Sequence, residues 1–229
     1  VECSVLMGAN LAHEVKPGGL CESTIASHFR EQGDLFKELF EAPFFNVNVI
    51  NDVEGAELAG ALKNVVALAA GFGDGCELGE NAKAALLREG LAEMRLFSKA
   101  MFSTIRDDTF FESCGVGDLI ATCYGGRNHK IAVMFAQGQG SFDDLERDVL
   151  NGQKLQGVLT SNEVQEVLET KGWEKEYPLF TAVNAITRGL FPPKDIARYR
   201  EIASEDVIQN ECVSRSQRRL SVLEETVGV

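Results

Sequence analysis

Residues 56–70, Ala-Glu-Leu-Ala-Gly-Ala-Leu-Lys-Asn-Val-Val-Ala-Leu-Ala-Ala, restrict the possible folds more than any other segment. Small and branched apolar side chains cover most faces of such a helix, so it must be buried. Its interior is broken by two adjacent polar residues, Lys63 and Asn64. A solvated lysine lies on a polar helix face. Lys63 has little polar face available and no acid on its own turn. Burial strips water from an ammonium group and makes it a usable proton donor near neutral pH. The alternative is a lysine that snorkels at a helix edge or pairs with a structural carboxylate.

The segments on either side differ in kind. Residues 4–7 form a short apolar run closed by Gly8-Ala9-Asn10, a buried strand entering a turn. A second strand is expected over 21–26, an amphipathic helix over 31–42 and a third strand over 44–53, where Val47, Val49, Ile50 and Val53 are β-branched. Strands alternating with a helix predict an α/β layer, but three short strands make an incomplete sheet. Beyond residue 53 only helical spacing follows: 81–102 with Asn81 as its N-cap, a shorter interrupted helix over 109–123, then 129–137, 141–150, 160–171 and 179–188. Ser141 followed by Asp144 is a helix-start signal. The expected organisation is an α/β piece over residues 1–53, an all-helical domain over 54–202 and a tail over 203–229. The tail, with its Ser-Arg-Ser-Gln-Arg-Arg run at 214–219, is expected to be a surface extension.

A second polar cluster lies at Asp118-Leu119-Ile120-Ala121-Thr122-Cys123-Tyr124-Gly125-Gly126-Arg127-Asn128. Asp118 stands alone among apolar neighbours, as a carboxylate does when its partner comes from elsewhere in the fold. Arg127 offers a fork of N–H donors, Thr122 and Asn128 add neutral donors, and paired glycines let backbone amides approach an oxyanion. A helix starting near His129 would aim its first amides at the same anion. The bland alternative is a Gly-Gly turn with a surface arginine. The run Asn151-Gly152-Gln153-Lys154-Leu155-Gln156-Gly157 reads, unaided, as a polar connector. The glycine-rich Gly71-Phe72-Gly73-Asp74-Gly75 is expected to follow a helix and lacks dinucleotide-loop spacing.

Composition excludes some classes. With 22 basic and 35 acidic residues the formal charge is −13, so no overall basic field exists for nucleic acid or an anionic membrane. A small basic pocket for a phosphorylated substrate remains compatible with that charge. No apolar run approaches the ~20 residues needed to cross a bilayer. Six widely spaced cysteines without a CxxC pair are expected to be reduced thiols of an intracellular protein, and the three histidines have no metal-site spacing.

In these segments the chain resembles the eukaryotic NAD-dependent glycerol-3-phosphate dehydrogenases. The resemblance is carried in order by Ser4-Val5-Leu6-Met7-Gly8-Ala9-Asn10, Gly60-Ala61-Leu62-Lys63-Asn64-Val65-Val66-Ala67, Glu112-Ser113-Cys114-Gly115-Val116, the Asp118 to Asn128 cluster and the 151–157 run, and extends to about residue 190. It implies a mainly α architecture: an all-helical, 6-phosphogluconate-dehydrogenase-like C-terminal domain preceded by the last strands of a Rossmann domain. It also implies NAD as cofactor, dihydroxyacetone phosphate and glycerol 3-phosphate as substrates, a homodimer and a cytoplasmic location, with a plastid or other organelle as the alternative. Under this resemblance Lys63 polarises and protonates the carbonyl oxygen and Asp118 is its carboxylate partner. Asn64, Thr122, Arg127 and Asn128 match substrate positions, with Arg127 chiefly at the phosphate. Asn10, Arg127, Lys154 and Gln156 match positions near the catalytic centre or the cofactor. No metal is implied.

The glycine-rich phosphate loop that opens a Rossmann domain does not occur in this sequence. The chain is therefore expected to be part of a longer polypeptide, inactive by itself. A catalytically inactive remnant serving as a structural or assembly subunit is the competing reading. Lys63, Asp118 and Arg127 argue for the enzyme, and the missing loop argues for the remnant. A third reading keeps the fold and changes the substrate to another phosphorylated or 3-hydroxy acid.

Overall fold

Helix α3, Val53–Gly75, runs through the centre of the molecule, and its residues 65–73 are buried without a break. The computed structural model describes residues 3–204. The alanines and glycines of α3 let other helices approach from all sides: α4 (Glu80–Met101), α5 (Asp118–Gly125), α6 (Arg127–Ala136), α8 (Gln156–Lys171) and α9 (Pro178–Thr187) all pack against it. Around it close the larger side chains, Phe72, Met94, Phe97, Phe110, Leu119, Ile131, Leu168, Tyr177 and Phe180, in one core. Each full burial of this kind contributes roughly 1.5–3 kcal/mol.

Two glycines set the closest approach. A Cβ on Gly71 would stand 2.5 Å from the Ala132 Cβ, and one on Gly75 would stand 2.7 Å from the Ala136 Cβ. The glycine run 71–75 is thus the last part of α3 packed on α6, not a segment after the helix as its spacing suggested.

Ahead of α3 lies a three-stranded sheet of β1 (Val5–Ala9), β2 (Cys21–Ala26) and β3 (Phe45–Ile50), in that spatial order. β1 is antiparallel to β2, with Val5 opposite Ala26, and β2 is parallel to β3, with Cys21 opposite Phe45. A short α1 (Ala12–Val15) links β1 to β2, and α2 (Arg30–Phe40) makes the crossover that a parallel pair requires. Ala26, Val53, Ala56 and Cys114 join the sheet to the start of α3. Asp52 caps α3 by accepting from the Gly55 amide at 3.0 Å, while its other oxygen accepts from the Arg106 amide and the Thr109 hydroxyl.

The mainly helical body behind a small α/β piece is the architecture expected. Its details differ in places. α4 begins at Glu80, with Gly79 at φ 84 in the N-cap position, so Asn81 is no cap. Residues 109–123 are not one helix: a 3-10 turn over Asp108–Phe111 and a π turn over Ser113–Gly117 precede α5. α6 and α8 start earlier than their apolar spacing suggested, at Arg127 and Gln156. Ser141 does cap α7 (Phe142–Val149), in a capping box with Asp144. A 3-10 turn over Pro193–Arg198 and the short α10 (Tyr199–Ile202) complete the described chain. The expected tail falls, from residue 205 on, outside the described residues. Among those described, the cysteines are free thiols and no helix is long and apolar enough to cross a membrane.

Candidate active site

The isolated lysine of α3 meets the isolated aspartate of α5. Lys63 Nζ lies 2.5 Å from Asp118 Oδ2, with side-chain exposures of 16% and 6%. Burial pushes the Asp118 carboxyl above its ordinary value, while the Lys63 ammonium and the Thr122 hydroxyl pull it back. Thr122 stands one turn on, at the i,i+4 spacing that stacks side chains on one helix face, and donates to Asp118 Oδ1 at 3.2 Å.

Asp118 owes its place to the π turn before it. Ser113 accepts from the Ala9 amide at 3.2 Å and donates to the Glu22 carbonyl at 2.8 Å, and the Cys114 amide donates to Thr24 Oγ1 at 3.2 Å. The start of α5 is thereby fastened to β1 and β2. Gly115 permits the turn, since a Cβ there would stand 2.5 Å from the Phe110 carbonyl oxygen. Asn10 follows directly on β1, and its amide donates to Ser23 Oγ at 2.7 Å.

Asn64 and Asn128 form the other side. Asn64 donates to the Gly60 and Ala61 carbonyls of its own helix, at 3.2 and 3.3 Å. Asn128 is buried in the first turn of α6; it donates to Asn64 Oδ1 and accepts from the Gly157 amide, both at 2.9 Å. One N–H of Asn128 remains for a further acceptor. The 151–157 segment is therefore docked on the α6 N-terminus, more than the mere connector it reads as in isolation. Exposed Arg127 reinforces this by donating to Gln153 Oε1 at 2.8 Å. The Gly126 N-cap offers no side-chain acceptor, so the first amides of α6 have no side-chain cap.

Lys154 and Gln156 are exposed on this same segment. Lys154 Nζ is 2.6 Å from Glu146, whose other oxygen accepts from the Leu155 amide, and Gln156 reaches Thr160 at 3.4 Å. Their N–H donors suit the oxygens of a dinucleotide. Among the described residues, however, no strand passes through a GxGxxG turn into a helix, so they hold no cradle of that kind for its pyrophosphate. No group of three or more His, Cys, Asp and Glu able to hold a metal occurs among the described residues.

Two contributors escaped the sequence. Glu146, which fixes Lys154 and Leu155, looks like any surface acid of an amphipathic helix. Lys83, Asp74, Tyr124 and His129 form a polar cluster beneath the α5–α6 bend. Its members come from α3, α4, α5 and α6, so no local spacing could have assembled them. Asp74 within a glycine run was the only sequence signal.

Residues 52–198 match the family described as NAD-dependent glycerol-3-phosphate dehydrogenase C-terminus. The chain is similar to the chloroplastic glycerol-3-phosphate dehydrogenase [NAD(+)] 1 of Arabidopsis thaliana, 52% identical over 204 residues that are 88% of this chain and 51% of the relative. It is also similar to the cytoplasmic glycerol-3-phosphate dehydrogenase [NAD(+)] of Drosophila virilis, 48% identical over 196 residues, 86% of this chain and 56% of the relative. The solved structure of DsGPDH from Dunaliella salina superposes with a TM-score of 0.84 at 54% identity, covering 87% of this chain and 35% of that one. The chain spans about half the length of the curated relatives it matches. With the family's C-terminal region matched over most of the described residues and the helical body shared with a solved relative, the chain belongs to the NAD-dependent glycerol-3-phosphate dehydrogenases.

Proposed function

We propose that the full-length protein to which these residues belong interconverts dihydroxyacetone phosphate and sn-glycerol 3-phosphate, using NADH and NAD. The observation that carries this reading is the close pairing of Lys63 with the buried Asp118. When bound, the nicotinamide supplies or accepts the hydride. The work of this chain is at the oxygen. As the carbonyl carbon becomes tetrahedral, negative charge builds on its oxygen; the fixed Lys63 ammonium stabilises that charge and delivers a proton there. Asp118 keeps the ammonium aimed, and Thr122 keeps Asp118 in place. In the oxidative direction Lys63 takes the hydroxyl proton back.

Arg127, with the uncapped first amides of α6, suits the phosphate of the substrate. The free N–H of Asn128 is the neutral donor beside it, held by Asn64. Asn10, Lys154 and Gln156 are assigned to the cofactor side of the site, where an additional domain would supply the pyrophosphate cradle. The proposed assembly is a homodimer and the proposed compartment the cytoplasm, with the plastid as the alternative that a chloroplastic relative supports. The test is NADH oxidation by the full-length protein with dihydroxyacetone phosphate, against unphosphorylated dihydroxyacetone as control. Turnover of the phosphorylated ketone at a KM far below that of the control is expected. No turnover, or equal KM values for both, would overturn the reading.

A further inference from the structure

Lys83 is a buried lysine, 6% exposed, that the proposed chemistry leaves unused. From α4 its ammonium reaches Asp74 Oδ2 on α3 at 2.6 Å, and His129 Nε2 on α6 reaches the same oxygen at 2.7 Å. Its Nζ also stands 3.9 Å from the centre of the Tyr124 ring at the end of α5, well within cation–π range.

Tyr124 and His129 bracket Gly125-Gly126-Arg127-Asn128. One ammonium thus grips both ends of the bend that carries Arg127: the near end through a ring face, the far end through a shared carboxylate. The bend needs holding. Its paired glycines have more backbone freedom than any other residues, and its N-cap has no side-chain hydrogen bond. It is also tight, because a Cβ on Gly126 would stand 2.5 Å from the Thr122 carbonyl oxygen. Burying an ammonium is costly unless it is paired. Here burial opposes ionisation of Asp74, yet hydrogen bonds from Lys83 and His129 hold its carboxyl below the ordinary value. An anion near the C-terminal end of α3 also works against the helix dipole. This arrangement goes to some expense to fix two side chains whose common feature is that they flank the bend.

We propose, resting on the reaction assigned above, that Lys83 is a positioning residue that fixes the 125–128 bend through Tyr124 and through Asp74–His129. It therefore sets affinity for the phosphorylated substrate and leaves proton transfer at Lys63 unaffected.

The test uses the full-length protein. Lys83→Met should raise KM for dihydroxyacetone phosphate about tenfold or more, with kcat and KM for NADH within about threefold. The inhibition constant of inorganic phosphate should rise in parallel. Lys83→Arg, which can still pair with Asp74 and stack on the ring, should bring both constants most of the way back. Should Lys83→Met fail to fold, Tyr124→Leu at an exposed position decides, with an expected rise in KM of several-fold. An unchanged KM in the folded variants, or a fall in kcat at unchanged KM, overturns the proposal. Arg127→Lys in the same assay separates the two levels. If Arg127→Lys raises KM while the Lys83 and Tyr124 variants do not, only the positioning role falls; if Arg127→Lys leaves KM unchanged, the phosphate assignment falls with it.

Discussion

Asn128 donates to Asn64 Oδ1 and accepts from the Gly157 amide at the same distance, 2.9 Å, so a single side chain joins α3, α6 and α8. Asn128→Asp keeps the acceptor for Gly157 but sets an oxygen against Asn64 Oδ1 and buries a charge. A buried polar group left without its partner costs about 1–3 kcal/mol. Denaturant unfolding should register a loss of at least that size, and KM for the phosphorylated substrate should rise as well. A variant as stable as the parent would show that the Asn64–Asn128 link is not a structural joint.

Gly71→Ala probes the α3–α6 contact. The added methyl would stand 2.5 Å from both the Ala132 Cβ and the His129 carbonyl oxygen, so one helix must move. Overpacking of this kind costs typically 1–3 kcal/mol. Because His129 lies two residues past Arg127, a rise in KM should accompany the loss in melting temperature. A neutral effect on both would mean that α6 shifts freely, contrary to the close packing described here.

How much of this was legible beforehand follows from what each pattern encodes. The strand over 21–26 and the buried helix through Lys63 could be read because β-branched runs and apolar periodicity are local properties. The pairing of Lys63 with Asp118 was half legible: each looked like half of a pair, but the partners are far apart in sequence and only packing brings them together. The break of residues 108–125 into a 3-10 turn, a π turn and α5 is legible only as an interrupted helix, because its form depends on Ser113 and Cys114 bonding to β1 and β2. Asn81 misled because a good capping residue lay one position inside a helix that a positive-φ glycine begins. The assignment of individual roles at the site came from resemblance, since spacing alone left Arg127 an ordinary surface arginine.

Stability should also depend on pH through Glu93. This buried carboxyl on α4 accepts from the Leu179 and Phe180 amides at the start of α9, yet burial raises it to about 8 against those bonds. The folded state then holds a proton that the unfolded chain releases above 4.5. The contribution is complete below that pH, declines as pH rises and is gone once pH passes about 8. Melting temperatures across this window should fall more steeply for the parent than for Glu93→Gln, which cannot ionise. Parallel profiles for the two would contradict a raised Glu93.

The proposed proton transfer from Lys63 to the reacting oxygen is probed by Lys63→Met in the full-length protein. Methionine keeps the length and apolar stem of the side chain, so the folded structure should survive, as circular dichroism would verify. Loss of a general acid–base group costs about 10²–10⁴-fold. Single-turnover reduction of dihydroxyacetone phosphate should therefore slow by roughly that factor, while KM for NADH stays within about threefold. A folded Lys63→Met protein that reduces the ketone within about threefold of the parent rate would contradict the account.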